Sequence, residues 1–68
     1  MARVNRRRLR ELRKMSGYSQ EELAHVAGLK SGTVYKLEGG HEDNPKLATL
    51  TALAKVLGVS VAELIVED

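Results

Sequence analysis

The sequence predicts an all-α fold of five short helices, an expectation that rests on three observations. Apolar residues recur at three- and four-residue spacing along each run. The runs are punctuated by Gly17, Gly28, Gly39-Gly40 and Gly58, the residue type that most readily closes a helix in the left-handed conformation. No segment shows the strict alternation of a half-buried strand.

The first helix is expected from an Asn5 cap to about Met15, with Leu9 and Leu12 inward and Ser16-Gly17 closing it. Ser19-x-x-Glu22 opens the second as a reciprocal capping box, Leu23, Ala24 and Ala27 form its inner face, and Gly28 ends it. Leu29 and Lys30 lead into a third helix, about 31–38, in which Val34 and Leu37 share one face. After the polar loop His41-Glu42-Asp43-Asn44, Asn44 is an N-cap and Pro45 a first helical residue for the fourth helix. Leu47, Leu50, Leu53, Ala54 and Leu57 are its apolar stripe. A second capping box, Ser60-x-x-Glu63, opens a short fifth helix with Val61, Leu64 and Ile65.

The chain has 68 residues and reads as one domain, with residues 1–5 as a flexible basic arm. That length is near the limit at which a single core outweighs chain entropy. There is no Cys to form a disulfide or a thiolate zinc site, as is usual in a reducing compartment. The core must be Leu, Val and Ala, because hydrophobic residues make up 43% of the chain and aromatics only 3%. No apolar stretch approaches the roughly 20 residues of a membrane span. The charged residues from Arg10 to Lys14 interrupt any signal-peptide core, so a cytoplasmic location is expected.

The net charge of +2 conceals an asymmetry. Residues 1–14 carry seven basic side chains and one acidic, while the remainder carries four basic and eight acidic. The basic end is either a solvated helix face or a footprint for phosphate. Catalysis is not indicated, since no polar groups converge by spacing. His25 and His41 stand apart without the ligand spacing of a metal site, and Gly39-Gly40 lacks the flanking pattern of a phosphate loop. No cofactor or small-molecule ligand is expected.

Two short helices joined by a glycine-bearing turn can lay the second across a major groove while the first lies over the DNA backbone. The residues are more specific than that geometry. They run Leu9-Arg10-Glu11-Leu12-Arg13, Gly17-Tyr18-Ser19-Gln20-Glu21-Glu22-Leu23-Ala24, Ala27-Gly28-Leu29, Thr33-Val34-Tyr35-Lys36-Leu37-Glu38, Asn44-Pro45-x-Leu47 and Leu53-Ala54-x-x-Leu57-Gly58-Val59-Ser60. Together they closely resemble the lambda-repressor-like helix-turn-helix family, also called the Cro or XRE family. The match runs in order from about Leu9 to Leu64, with one extra residue in the loop before Asn44.

The resemblance implies a five-helix globule that acts as a homodimeric transcriptional regulator, commonly a repressor, on a partly palindromic double-stranded DNA operator. It implies that the helix at 31–38 enters the major groove. It places Gln20 near backbone phosphate, Lys30, Ser31, Gly32, Thr33, Tyr35 and Lys36 toward DNA, and Val34 and Leu37 toward the core. It also implies a structural ion pair between Arg13 and Glu38. The side chains suit those roles: Lys30 and Lys36 can meet phosphate or guanine O6 and N7, Ser31 and Thr33 can donate to either, and Tyr35 can lie against a thymine methyl or bond a phosphate.

Three departures from the family pattern follow. Lys30 stands where the family has a small polar N-cap, so Ser31 is the alternative cap. Gly32 inside a helix would cost about 1 kcal/mol relative to Ala, which points to a weak helix start or to close approach of backbone to DNA. The loop after the third helix is acidic where the family has basic phosphate contacts. That shifts the electrostatic role to the N-terminal arginines, Arg6 and Arg10 among them, by way of backbone or minor-groove contacts. The apolar tail offers Ile65 and Val66 either as a twofold dimer contact or as the completion of the core. A rival function on the same fold is a protein-binding adaptor or antitoxin-type module that uses the acidic loop or the apolar tail.

Overall fold

Every helix is closed by hydrogen bonds that its own sequence supplies, and the helices then stack on a small aliphatic core. The computed structural model describes residues 2–42 and 44–67. In chain order these are strand β1 (Ala2–Val4), helices α1 (Arg6–Met15), α2 (Gln20–Val26), α3 (Thr33–Gly39) and α4 (Leu47–Leu57), a 3-10 turn (Val61–Leu64) and strand β2 (Ile65–Glu67). The molecule measures 29 × 22 × 19 Å.

Asn5 caps α1, its side chain accepting the Arg8 N–H at 3.1 Å. At the other end Tyr18 N donates to Arg13 O and Gly17 N to Lys14 O, the paired bonds of a Schellman closure. Ser19 and Glu22 form both halves of the capping box at the start of α2. The same pair of closing bonds recurs at the end of α2, from Leu29 N to Ala24 O and from Gly28 N to His25 O. There Gly28 takes φ +73°, where a Cβ would be strained.

Leu9, Leu23, Leu37, Leu53, Leu64 and Val34 are the largest fully buried side chains, joined by Leu12, Leu50, Ala24 and Ala54. α3 packs on α1 and α2, and α4 on α2 and the 3-10 turn. Each fully buried Leu or Val is worth roughly 1.5–3 kcal/mol relative to exposure.

The structure corrects the sequence reading at four places. The fifth helix is only the four-residue 3-10 turn, after which the chain turns extended. Ser60 makes no side-chain cap bond there: the Glu63 N–H donates to the Ser60 carbonyl at 3.1 Å, and the Glu63 carboxylate, which would complete the box, bonds Arg8 of α1 at 3.0 Å.

The second correction concerns the two ends of the described residues, where no strand was expected. Ala2–Val4 pair antiparallel with Ile65–Glu67, in the register Ala2↔Glu67, Arg3↔Val66 and Val4↔Ile65. Val4 is buried, and Asn5 N donates to Leu64 O at 2.7 Å.

Third, α4 starts two residues later than the Asn44-Pro45 pattern implies. Lys46 O takes the first helical bonds, from Thr49 N and Leu50 N, and no side chain caps the helix. Leu47, read as part of the buried stripe, is 69% exposed. Fourth, α3 starts at Thr33 rather than 31, with Gly32 outside it at φ +87°. The helix-interior cost of Gly32 therefore does not arise. Of the acidic loop, Asp43 lies outside the described residues.

Candidate nucleic-acid interface

The geometry is built from the buried edge of α3 outward. Val34 and Leu37 anchor α3 in the core, so on a helix the residues between them must face away. Tyr35 is 56% exposed, Lys36 is exposed and Thr33 is half-buried. Lys30 and Ser31 are exposed in the turn ahead of the helix, and Gly32 is half-exposed.

What fixes the angle of α3 is a buried polar network. Arg13 Nε donates to Glu38 Oε2 at 2.6 Å and Arg13 Nη2 to Glu38 Oε1 at 3.0 Å, a bidentate pair between α1 and the end of α3. Arg13 Nη1 donates to Tyr18 O at 2.8 Å, and Gln20 Nε2 donates to Glu38 Oε1 at 3.0 Å. The Arg13 and Glu38 side chains are only 11% and 5% exposed. Hydrogen bonding to Glu38 raises the Arg13 pKa further, outweighing the opposing effect of burial. Among the described residues no buried side-chain polar atom lacks a partner. Gln20 therefore sits at the start of α2 with its amide held by the same carboxylate that holds Arg13.

The turn before α3 is held differently. Ser31 is not the N-cap; its Oγ donates to the Glu21 carboxylate, 2.9 Å from each oxygen, and Gly32 N donates to Glu21 Oε1 at 3.3 Å. Beyond the helix, the Tyr35 ring stacks on His41 with centroids 5.5 Å apart and planes inclined by 23°. Neither Glu21 nor His41 stood out in the sequence as a partner of these positions. Both contacts join residues that no helical or strand period links.

The N-terminal arginines divide into two groups. Arg8 is engaged by Glu63 at 3.0 Å and by Glu11 at 3.7 Å. Arg3, Arg6, Arg7 and Arg10 line an open cleft of about 490 Å³ that is also bounded by Glu38 and Gly40. The Arg6 guanidinium lies so close over Gly40 that a Cβ there would collide with it. Folding thus carries Arg6 and Arg10 from the first helix to the C-terminal end of α3. Ile65 is half-buried against the core, and Val66 is exposed on β2 opposite Arg3.

Among the described residues no cluster of three or more His, Asp and Glu is placed to hold a metal ion, and no helix is long and apolar enough to cross a membrane. Helix, glycine-closed turn and outward-facing helix, braced from a first helix, define a helix-turn-helix domain.

Comparison with known proteins agrees. The family model described as Helix-turn-helix matches residues 9–64. The cryptic phage CTXphi transcriptional repressor RstR of Vibrio cholerae is 40% identical over 85% of the chain and 51% of its own length. The HTH-type transcriptional regulator SinR of Bacillus subtilis is 37% identical over 88% of the chain and 54% of its own length. The chain thus spans about half the length of these two curated relatives.

Among solved structures, SinR, the master regulator for biofilm formation, in complex with DNA superposes with a TM-score of 0.79 at 35% identity, over 84% of this chain and 90% of that one. The restriction-modification controller protein C.AhdI from Aeromonas hydrophila gives 0.77 at 40% identity, over 85% and 86%. The chain belongs to the lambda-repressor-like helix-turn-helix family of the Cro/C1 type, the XRE family.

Proposed function

We propose that this chain binds double-stranded DNA sequence-specifically as a cytoplasmic transcriptional regulator, in the repressor mode, with α3 in the major groove and no catalytic step. The observation that carries the proposal is the outward face of α3: Tyr35 and Lys36 stand exposed, with half-buried Thr33 beside them, on a helix locked at its far end by Arg13, Gln20 and Glu38. The family supports it, as do the DNA bound by SinR and the repressor and regulator names of the relatives.

In this reading Lys30, Ser31, Gly32, Thr33, Tyr35 and Lys36 meet bases and nearby phosphate, while Gln20 meets the backbone beside them. Arg6 and Arg10, with the rest of the arginine-lined cleft, supply phosphate contacts at the end of α3, where the adjoining loop carries Glu42. Two copies bind as a homodimer through the Val66 edge beside Ile65, with half-sites one helical turn, about 34 Å, apart.

The test is selection from a random duplex pool at several salt concentrations. A motif with twofold character should emerge, affinity should fall steeply with salt, and Lys36→Ala should weaken binding and reduce selectivity. Motif-free binding with a flat salt response would refute the proposal.

A further inference from the structure

The Glu21–Ser31–Gly32 contact has a chemical direction. A carboxylate accepts hydrogen bonds and has no proton to give, so at 2.9 Å from both Glu21 oxygens the Ser31 hydroxyl is the donor. A serine hydroxyl has one proton and two lone pairs. Its proton is spent inside the protein and only the lone pairs remain for a ligand.

Two further bonds hold the arrangement. Gly32 N donates to the same carboxylate, α3 has no side-chain cap of its own, and Thr33 N closes the turn onto Lys30 O at 3.1 Å. Glu21 lies in the first turn of α2, where a carboxylate is also favoured by the helix dipole.

We infer that Glu21 is a specificity-determining residue: it makes Ser31 an acceptor only, so that this position reads an exocyclic amino group, adenine N6 or cytosine N4, and rejects guanine and thymine on the contacted strand. The inference rests on the DNA-binding reading above and deepens it. In the major groove guanine offers O6 and N7 and thymine O4, all acceptors, whereas adenine N6 and cytosine N4 are donors. A freely rotating serine serves either kind of edge. One whose proton is held by Glu21 sets lone pair against lone pair on guanine or thymine. The carboxylate beside it adds to the same choice, since negative charge is tolerated near an amino group and repelled by carbonyl oxygens and phosphates.

The experiment compares motifs selected from a random duplex pool by the wild-type chain, Ser31→Ala and Glu21→Ala, with far-UV circular dichroism confirming that each variant folds. Glu21 and Ser31 are both exposed, so neither substitution removes core packing. In the wild type one position per half-site should hold adenine or cytosine. Ser31→Ala should relax that position alone, by about fivefold or more. Glu21→Ala, which returns the proton to Ser31, should admit guanine and thymine at the same position while the rest of the motif stays.

A motif unchanged by both substitutions, or a Ser31-dependent position at which neither strand is confined to adenine and cytosine in the wild type, overturns the inference and leaves the DNA-binding reading standing. A wild-type pool with no motif overturns that reading, and this inference with it.

Discussion

Replacing Glu38 by Ala leaves the Arg13 guanidinium facing a gap with only Tyr18 O as acceptor. The Arg13 side chain is 11% exposed, so water cannot fully replace the lost carboxylate. Breaking a buried pair by removing one partner costs about 3–5 kcal/mol, and a chain of this length has roughly 3–10 kcal/mol in total. The single variant should therefore lose most of its stability. With a urea slope of about 1 kcal/mol/M for a domain this small, its midpoint should fall by about 3 M or more.

The double variant Arg13→Met/Glu38→Leu should recover much of that loss, because it removes the desolvation cost of both charges along with their attraction. Urea titrations followed by far-UV circular dichroism measure all the species, with Arg13→Met and Glu38→Leu completing the cycle. If Glu38→Ala costs less than about 1 kcal/mol, or if the two single losses simply add in the double variant, the network is not the brace described above.

Two further perturbations test local features. Gly40→Ala and Gly28→Ala should each lose about 1–2 kcal/mol in thermal melts, the left-handed backbone penalty: nothing stands within 4 Å of a Cβ at Gly28, and at Gly40 the new Cβ meets only the end of the exposed, flexible Arg6 side chain, which can swing aside. A loss at Gly40 well above that at Gly28 would mean that Arg6 is held rigidly over Gly40. Ser19 hydrogen bonds hold the Glu22 carboxyl below the usual carboxylate range. That contribution is present above the ordinary Glu pKa and disappears as the pH falls through the lower folded value, so stability should decline on acidification. Glu22→Gln should flatten that part of the pH–stability curve, and an unchanged curve would contradict the capping role.

Much of the fold was legible because helix signals are local. Asn5, the Ser19–Glu22 box and the closing glycines at 17, 28 and 58 act within a few residues of themselves, and the bonds they form in the structure are those their spacing implies. The inward faces followed from the helical period, with Leu9, Leu12, Leu23, Val34, Leu37, Leu50 and Leu53 all buried. The failures were also physical. Three-residue strands are too short to show alternation. The Ser60 box offered a valid local signal that lost Glu63 to a partner 55 residues away. Asn44-Pro45 carries a helix-start pattern, yet the first helical carbonyl belongs to Lys46.

The candidate interface divides along the same line. Residue types and helical spacing alone place Lys36 and Tyr35 on the side of α3 opposite Val34 and Leu37, with Thr33 at the border of the two faces. The partners of those residues were decided by packing. Glu21 reaches Ser31 across ten positions of sequence, His41 stacks on Tyr35, Arg6 is laid over Gly40, and β1 joins β2 from the two ends of the described chain. Local periodicity carries no information about which distant atoms meet. Those contacts exist only once the aliphatic core has set the helices at their mutual angles.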